Sequence, residues 1–166
     1  HRDWLKVAVA RSKLPYDPAA AIAELRGPHP EFEGYPNAEM TVALWLGRSA
    51  FRGGDRAALG ESLASHARHR GLDSPGYVLE RRWVRALDDL DAQVLVDGSA
   101  GFDEIGYTLY GAETLIDAAL IEARRDGNDG EMAERARAAI ERLDYHPPLG
   151  PLPERRWIAP GSMSAV

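Results

Sequence analysis

The sequence predicts a mainly α-helical fold, a compact bundle of about five to six helices built from αα-hairpins. Three observations point there. Asp, Asn or Ser residues precede apolar runs of helical period, glycines close those runs, and prolines fall at first helical positions or in connecting stretches. With 166 residues, 45 % of them hydrophobic and 28 % charged, the chain has the size and balance of one globular domain. A single helical domain is expected over 1–146, with a Pro-rich C-terminal extension over 147–166.

Taken in order, the opening "HRDWLKVAVARSKL" has an apolar run too short and too interrupted for a signal peptide. "DPAAAIAELRG" offers Asp17 as N-cap, Pro18 at the first helical position and Gly27 past the end. A polar, Pro-rich loop follows. "NAEMTVALWLGRSAFRGG" has Asn37 as its expected cap and apolar residues on nearly every face, the mark of a helix at the centre of a domain. Gly53 and Gly54 stop it. Asp55 caps the next helix, with Leu59, Leu63 and Ala67 in one stripe, and Gly71 ends it. Ser74 and Pro75 open a fourth, with Leu79, Trp83, Leu87 and Leu90 on one face and arginines opposite.

Residues 94–110 read two ways. "QVLVDG" and "GYTLYG" are β-rich and bounded by glycine, which leaves a short β-hairpin open. The favoured expectation is a loop near Gly98–Gly101, an irregular or helical turn, then firm helix from about Ala112 to Arg125. Gly106 and Gly111 would each cost an unbroken helix about 1 kcal/mol against alanine. A last helix is expected from Asp129 to Leu143, with Met132, Ala136, Ile140 and Leu143 inward. The tail from Tyr145 holds five prolines in 22 residues, with Trp157 and Ile158 expected to pin it to the body. Two Arg-containing, Gly-rich turns with an Asp cap join helix pairs in similar ways. They resemble one helical hairpin of a solenoid repeat, but two echoes fall short of the three units such arrays need.

Several function classes lose support from composition and motifs. There is no cysteine, hence no thiolate nucleophile, disulfide or zinc–thiolate site, which fits a cytoplasmic location. A net charge of −6 disfavours nucleic-acid binding, and no apolar run reaches the ~18 residues of a membrane span. Phosphate loops, dinucleotide fingerprints and nucleophile elbows are missing, so no cofactor is expected.

Few constellations are left to carry chemistry. His66 and His69 stand three apart, but Glu61 is the only nearby acid and sits on a poorly matched face. The pair reads as a solvated helix end favoured by the macrodipole, and no metal site is expected. "DDLD" at 88–91 superficially resembles the aspartate-rich magnesium motif of isoprenoid synthases, yet the spacing differs and the second motif is lacking. Its acids read as a polar helix face. Glu113 and Asp117, four apart, read as exposed surface. In an alternative enzyme or ligand-binder reading, they join Phe102, Tyr107 and Tyr110 around a pocket.

The charge map is the strongest clue. Nine acids and no Lys or Arg lie between Asp88 and Ala123, just after a stretch containing Arg68, Arg70, Arg81, Arg82 and Arg85. An interaction protein that presents Asp88, Asp89, Asp91, Asp97, Asp103 and Glu104 to a basic protein partner, in an immunity- or adaptor-type role, is the leading expectation. A structural subunit of a larger assembly, a homo-oligomer included, with Trp157 and the Pro-rich tail as docking element, is a third.

Overall fold

The structure, a computed structural model, describes residues 2–126 and 130–143. All regular structure among them is helical, in eight segments rather than five to six: α1 (Arg2–Lys13), α2 (Pro18–Leu25), α3 (Pro36–Gly53), α4 (Arg56–Arg68), α5 (Pro75–Asp89), α6 (Ala92–Glu104), α7 (Thr108–Asp126) and α8 (Gly130–Arg142). The Pro-rich tail, with Trp157 and Ile158, lies outside the described residues. No helix among the described residues is long and apolar enough to cross a membrane. The chain divides into two compact units, with the boundary between Asp88 and Asp89.

Helix punctuation accounts for most of the first unit. The Asp17 carboxylate accepts the Ala20 N–H at 2.9 Å and Pro18 opens α2. Helix α3 starts at Pro36, two residues earlier than Asn37 as cap would place it, because Pro supplies the helical φ without needing an N–H partner. At its other end Gly54 adopts φ +71°, and the Asp55 N–H reaches back to the Ala50 carbonyl at 2.9 Å. Asp55 then caps α4 by accepting the Ala58 N–H. One glycine and one aspartate thus turn the chain through an αα-hairpin.

Helix α3 is the axis of this unit. It packs against α1, α2 and α4, and every residue from Ala43 to Ala50 is buried. Gly47 is small because it must be: a Cβ there would meet Ser62 Oγ at 2.6 Å and Val84 Cγ1 at 3.0 Å. Ser62 Oγ donates to the Ala43 carbonyl at 2.6 Å, tying α4 to α3. Beside this contact, the buried Arg48 guanidinium lies 4.6 Å from the ring centres of both Trp45 and Trp83, joining α3 to α5. Arg11 of α1 also lies over Trp45, at 4.3 Å. Cation–π contacts of a desolvated guanidinium are worth about 2 kcal/mol.

Two expected stripes are shifted. On α4, Ala58, Leu59, Ser62 and His66 are buried, while Leu63 is half-buried and Ala67 exposed. On α5, Trp83 and Leu87 are buried as expected, but Glu80 joins them and Leu90 is exposed. Leu90 has φ 57°, the left-handed turn that ends α5 just before Asp91 caps α6.

The second unit corrects the reading of 94–110. Neither a β-hairpin nor a loop at Gly98–Gly101 is present, since α6 runs straight through both glycines. Asp91 accepts the Val94 N–H at 3.1 Å, and buried Leu95, Ser99 and Phe102 give the helix a packing face. Gly106, at φ +81°, closes it: the Tyr107 N–H bonds the Phe102 carbonyl and the Gly106 N–H the Asp103 carbonyl. Helix α7 therefore begins at Thr108, four residues before the expected start. It packs against both α6 and α8. Gly111 marks the closest approach of α6 and α7, where a Cβ would meet Asp103 Oδ1 at 2.6 Å and the Ser99 carbonyl at 3.0 Å. On α8, Met132, Ala133, Ala136 and Ala139 are buried, whereas Ile140 and Leu143, expected inward, are only half-buried.

The glycines of α6 and α7 should respond oppositely to alanine. Gly98→Ala meets open space and is expected to stabilise by about 0.5–1 kcal/mol, whereas Gly111→Ala should destabilise despite its better helix propensity. Paired thermal melts check the sign. Glu80 supplies a second test. Burial raises its carboxyl from 4.5 to about 7, and Oε2 has no hydrogen-bond partner. The folded chain thus holds this proton more tightly than the unfolded one, so the group's contribution to stability declines as pH rises from 4.5 to about 7 and is level above. Glu80→Gln should gain on the wild type across that interval, reaching about 3 kcal/mol at alkaline pH. An unchanged difference between the two proteins over the same range would contradict the burial of this carboxyl.

Candidate functional site

Two surface features combine charge with exposed side chains, one in each unit. In the first, the connection between α2 and α3 folds over the ends of α3 and α4 and forms a cleft of about 460 Å³. That is within the ~300–1,000 Å³ typical of small-molecule sites. Pro28, Pro30, Phe32 and Val42 supply its apolar lining, and His29, Glu33, Glu39, Ser65 and Arg68 its polar groups.

The connecting loop has no regular structure, yet it is tied down from several sides. Asp3 of α1 is buried, and its Oδ2 accepts the Glu31 N–H at 2.8 Å while Glu31 Oε2 accepts the Asp3 N–H at 3.1 Å. Lys6 Nζ donates to the Pro28 carbonyl at 2.6 Å and lies 3.3 Å from Asp3 Oδ1. Phe32 is buried, stacked against His29 and edge-on to Trp4 at 4.8 Å. These tethers make one side of the cleft a fixed wall.

The polar groups divide by what they already hold. His29 Nε2 donates to the Leu25 carbonyl at 3.0 Å. Glu39 is engaged at both oxygens, with His69 Nε2 at 2.7 Å and the Gly34 N–H at 3.3 Å. Arg68 donates to Ser65 Oγ at 3.2 Å and, like Glu33, forms no ion pair among the described residues. One uncommitted anion and one largely uncommitted cation therefore share this cleft.

His66 and His69 are not a solvated pair. His66 is buried and its Nδ1 donates to the Ser62 carbonyl at 2.9 Å. Burial lowers its pKa, reinforced by the Arg81 and His69 charges and opposed by that hydrogen bond. It is neutral inside the fold, so its contribution to stability is lost as pH falls below the ordinary 6.5. His69 turns instead to Glu39. Among the described residues, no three His, Asp or Glu side chains gather as a metal ion would need.

The acidic stretch of the second feature separates into several roles. Asp88, the last residue of the first unit, is 3.2 Å from Arg56 Nη1. Asp89 also has a partner. Asp91 caps α6, and Asp97 accepts from Gln93 Nε2 at 2.9 Å. Asp97, Asp103 and Glu104 are exposed on α6 and form no ion pair among the described residues. Tyr107, just beyond them, is also exposed and lies 6.0 Å from Tyr110 in an edge-on contact. Tyr110 in turn meets Phe102 at 5.6 Å, with Phe102 wholly buried. Asp117, expected at the surface, is fully buried and partnered, and Glu113 is half-buried. Its neighbours along the helix explain this: α7 buries Thr114, Leu115, Ala118, Ala119 and Ile121 around it.

The cleft has no motif that could have announced it. Its polar groups come from positions 29 to 68 and meet only through folding, and the sole local signal was a Pro-rich loop rich in His and Glu. If the Asp3–Glu31 exchange holds that loop, Asp3→Ala should cost about 1–3 kcal/mol and speed amide hydrogen exchange at Glu31 well beyond exchange in α3. Equal acceleration at both places would show global unfolding instead. The chain matches no family model, and no curated protein or solved structure is significantly similar to it.

Proposed function

We propose that the chain is a protein-interaction module that offers the acidic face of α6 to a basic partner, in an immunity- or adaptor-type role. One observation carries this reading: Asp97, Asp103 and Glu104 are exposed on a single helix without a cation of their own among the described residues. Mutual repulsion between such charges is mild, about 1 kcal/mol at 4 Å in water and less beyond a Debye length. The fold tolerates it easily, and a partner with clustered Lys or Arg would relieve it. Exposed Tyr107 adds the amphipathic aromatic surface that interface anchors commonly use, beside a polar rim. Charge complementarity of this kind acts mainly on the rate of encounter and on partner choice.

The test is capture of partners from lysate at low and high salt, with the triple reversal D97K/D103K/E104K as control. Basic proteins should be retained by the wild type, released at high salt, and lost by the reversal variant. For a purified partner, association should slow about 10- to 100-fold in the variant while dissociation changes less. Retention that is indifferent to salt and to the reversal would overturn the reading.

A further inference from the structure

We propose that the cleft between the α2–α3 loop and the ends of α3 and α4 binds a free α-amino acid with an apolar side chain. This is a second binding activity, in the first unit, and it does not depend on the acidic face of α6. The argument rests on which groups are already satisfied. Glu39 has His69 on one oxygen and the Gly34 N–H on the other, and His29 Nε2 serves the Leu25 carbonyl. Those side chains are walls. Glu33 and Arg68 are different: they come from the loop and from α4, line the same cleft, and do not reach each other as an ion pair.

Opposite charges that line one cleft of about 460 Å³ without forming an ion pair leave an acceptor and a donor both open to a ligand. A zwitterion satisfies both. Its carboxylate suits the remaining N–H donors of Arg68, whose planar fork matches two carboxylate oxygens, and its ammonium suits the Glu33 carboxylate. A simple anion would meet Arg68 but also two glutamates, and a simple cation would meet Glu33 but also Arg68. Pro28, Pro30, Phe32 and Val42 provide apolar contact for a side chain. The cleft wall is preorganised by the Asp3, Lys6 and Phe32 contacts, so little ordering of the loop opposes binding. Because both charges remain in contact with water, affinity is expected in the micromolar to millimolar range.

Calorimetric titration of the full chain with L-leucine and L-phenylalanine, and with leucinamide and N-acetyl-leucine, tests this. One molecule of at least one free amino acid should bind, and each blocked leucine derivative should bind at least tenfold more weakly than leucine. Arg68→Gln should erase the preference for leucine over its amide, and Glu33→Gln the preference over its N-acetyl form. Both residues are at the surface, and unchanged thermal melts would confirm that the variants fold. No binding of either amino acid at millimolar concentration overturns the proposal, as does binding that ignores both substitutions. Equal affinity for leucine and leucinamide in the wild type overturns it too, and would point to a peptide N-terminus as the ligand.

Discussion

A single buried cation organises the first unit. Taking a guanidinium out of water costs several kcal/mol, and no amount of apolar packing around it recovers that unless its charge is met. Arg48 is almost wholly buried, and the π-faces of Trp45 and Trp83 lie near its guanidinium at equal distance. Moving α5 away from α3 would separate Trp83 from that charge, so the two helices are held in one arrangement. The neighbouring Gly47 repeats the constraint with sterics, leaving room for Ser62 of α4 and Val84 of α5 and for nothing larger. Charge and shape at two adjacent residues thus fix where α4 and α5 lie against the central helix.

The geometry of the cleft follows from that constraint. Ser65, Arg68 and His69 sit at the far end of α4, whose position is set one turn earlier by the Ser62 bond to the Ala43 carbonyl. Glu39 and Val42 precede Ala43 on α3. The His69–Glu39 pair is then a consequence of register between α3 and α4. It adds little stability by itself, since one partner is a third exposed. What it does is occupy Glu39, and so leave Glu33 as the uncommitted carboxylate.

Helix ends were the most legible part of the chain, because capping is a local affair. Asp17 with Pro18, Asp55 after Gly53-Gly54, and Pro75 after Ser74 all stand where the structure uses them. Local signals misled where packing overrides propensity. Gly98 and Gly101 looked like a loop, yet Leu95, Ser99 and Phe102 bury enough of α6 to carry two glycines at about 1 kcal/mol each. Helix α1 was hidden for a related reason, since Trp4 and Leu5 are exposed and only Asp3, Val7 and Ala10 are buried. Its apolar pattern does not match its buried face. Tertiary partners were the least legible. Nothing near Arg48, Glu80, His66 or Asp117 in the sequence distinguishes a buried polar side chain from a solvated one.

The same limit governs the charge map, and it narrows the acidic face to a sharper statement. An excess of nine acids over 36 residues looks like one feature only while the chain is read as a line. In the fold, Asp88 meets Arg56, which lies outside the arginine-rich stretch that preceded it in sequence. Asp91 stabilises a helix start, and Asp117 is internal. Each of these is accounted for by a partner, a cap or burial within the fold, and so needs no external partner. The exposed carboxylates of α6 that form no ion pair among the described residues are Asp97, Asp103 and Glu104, grouped on one helix beside an exposed tyrosine. Fewer charges make a weaker electrostatic field, but a better defined one. On the proposed interaction reading, a surface of three acids and one aromatic ring would select a partner by the spacing of its basic groups, whereas a diffuse excess of nine would attract any cation equally.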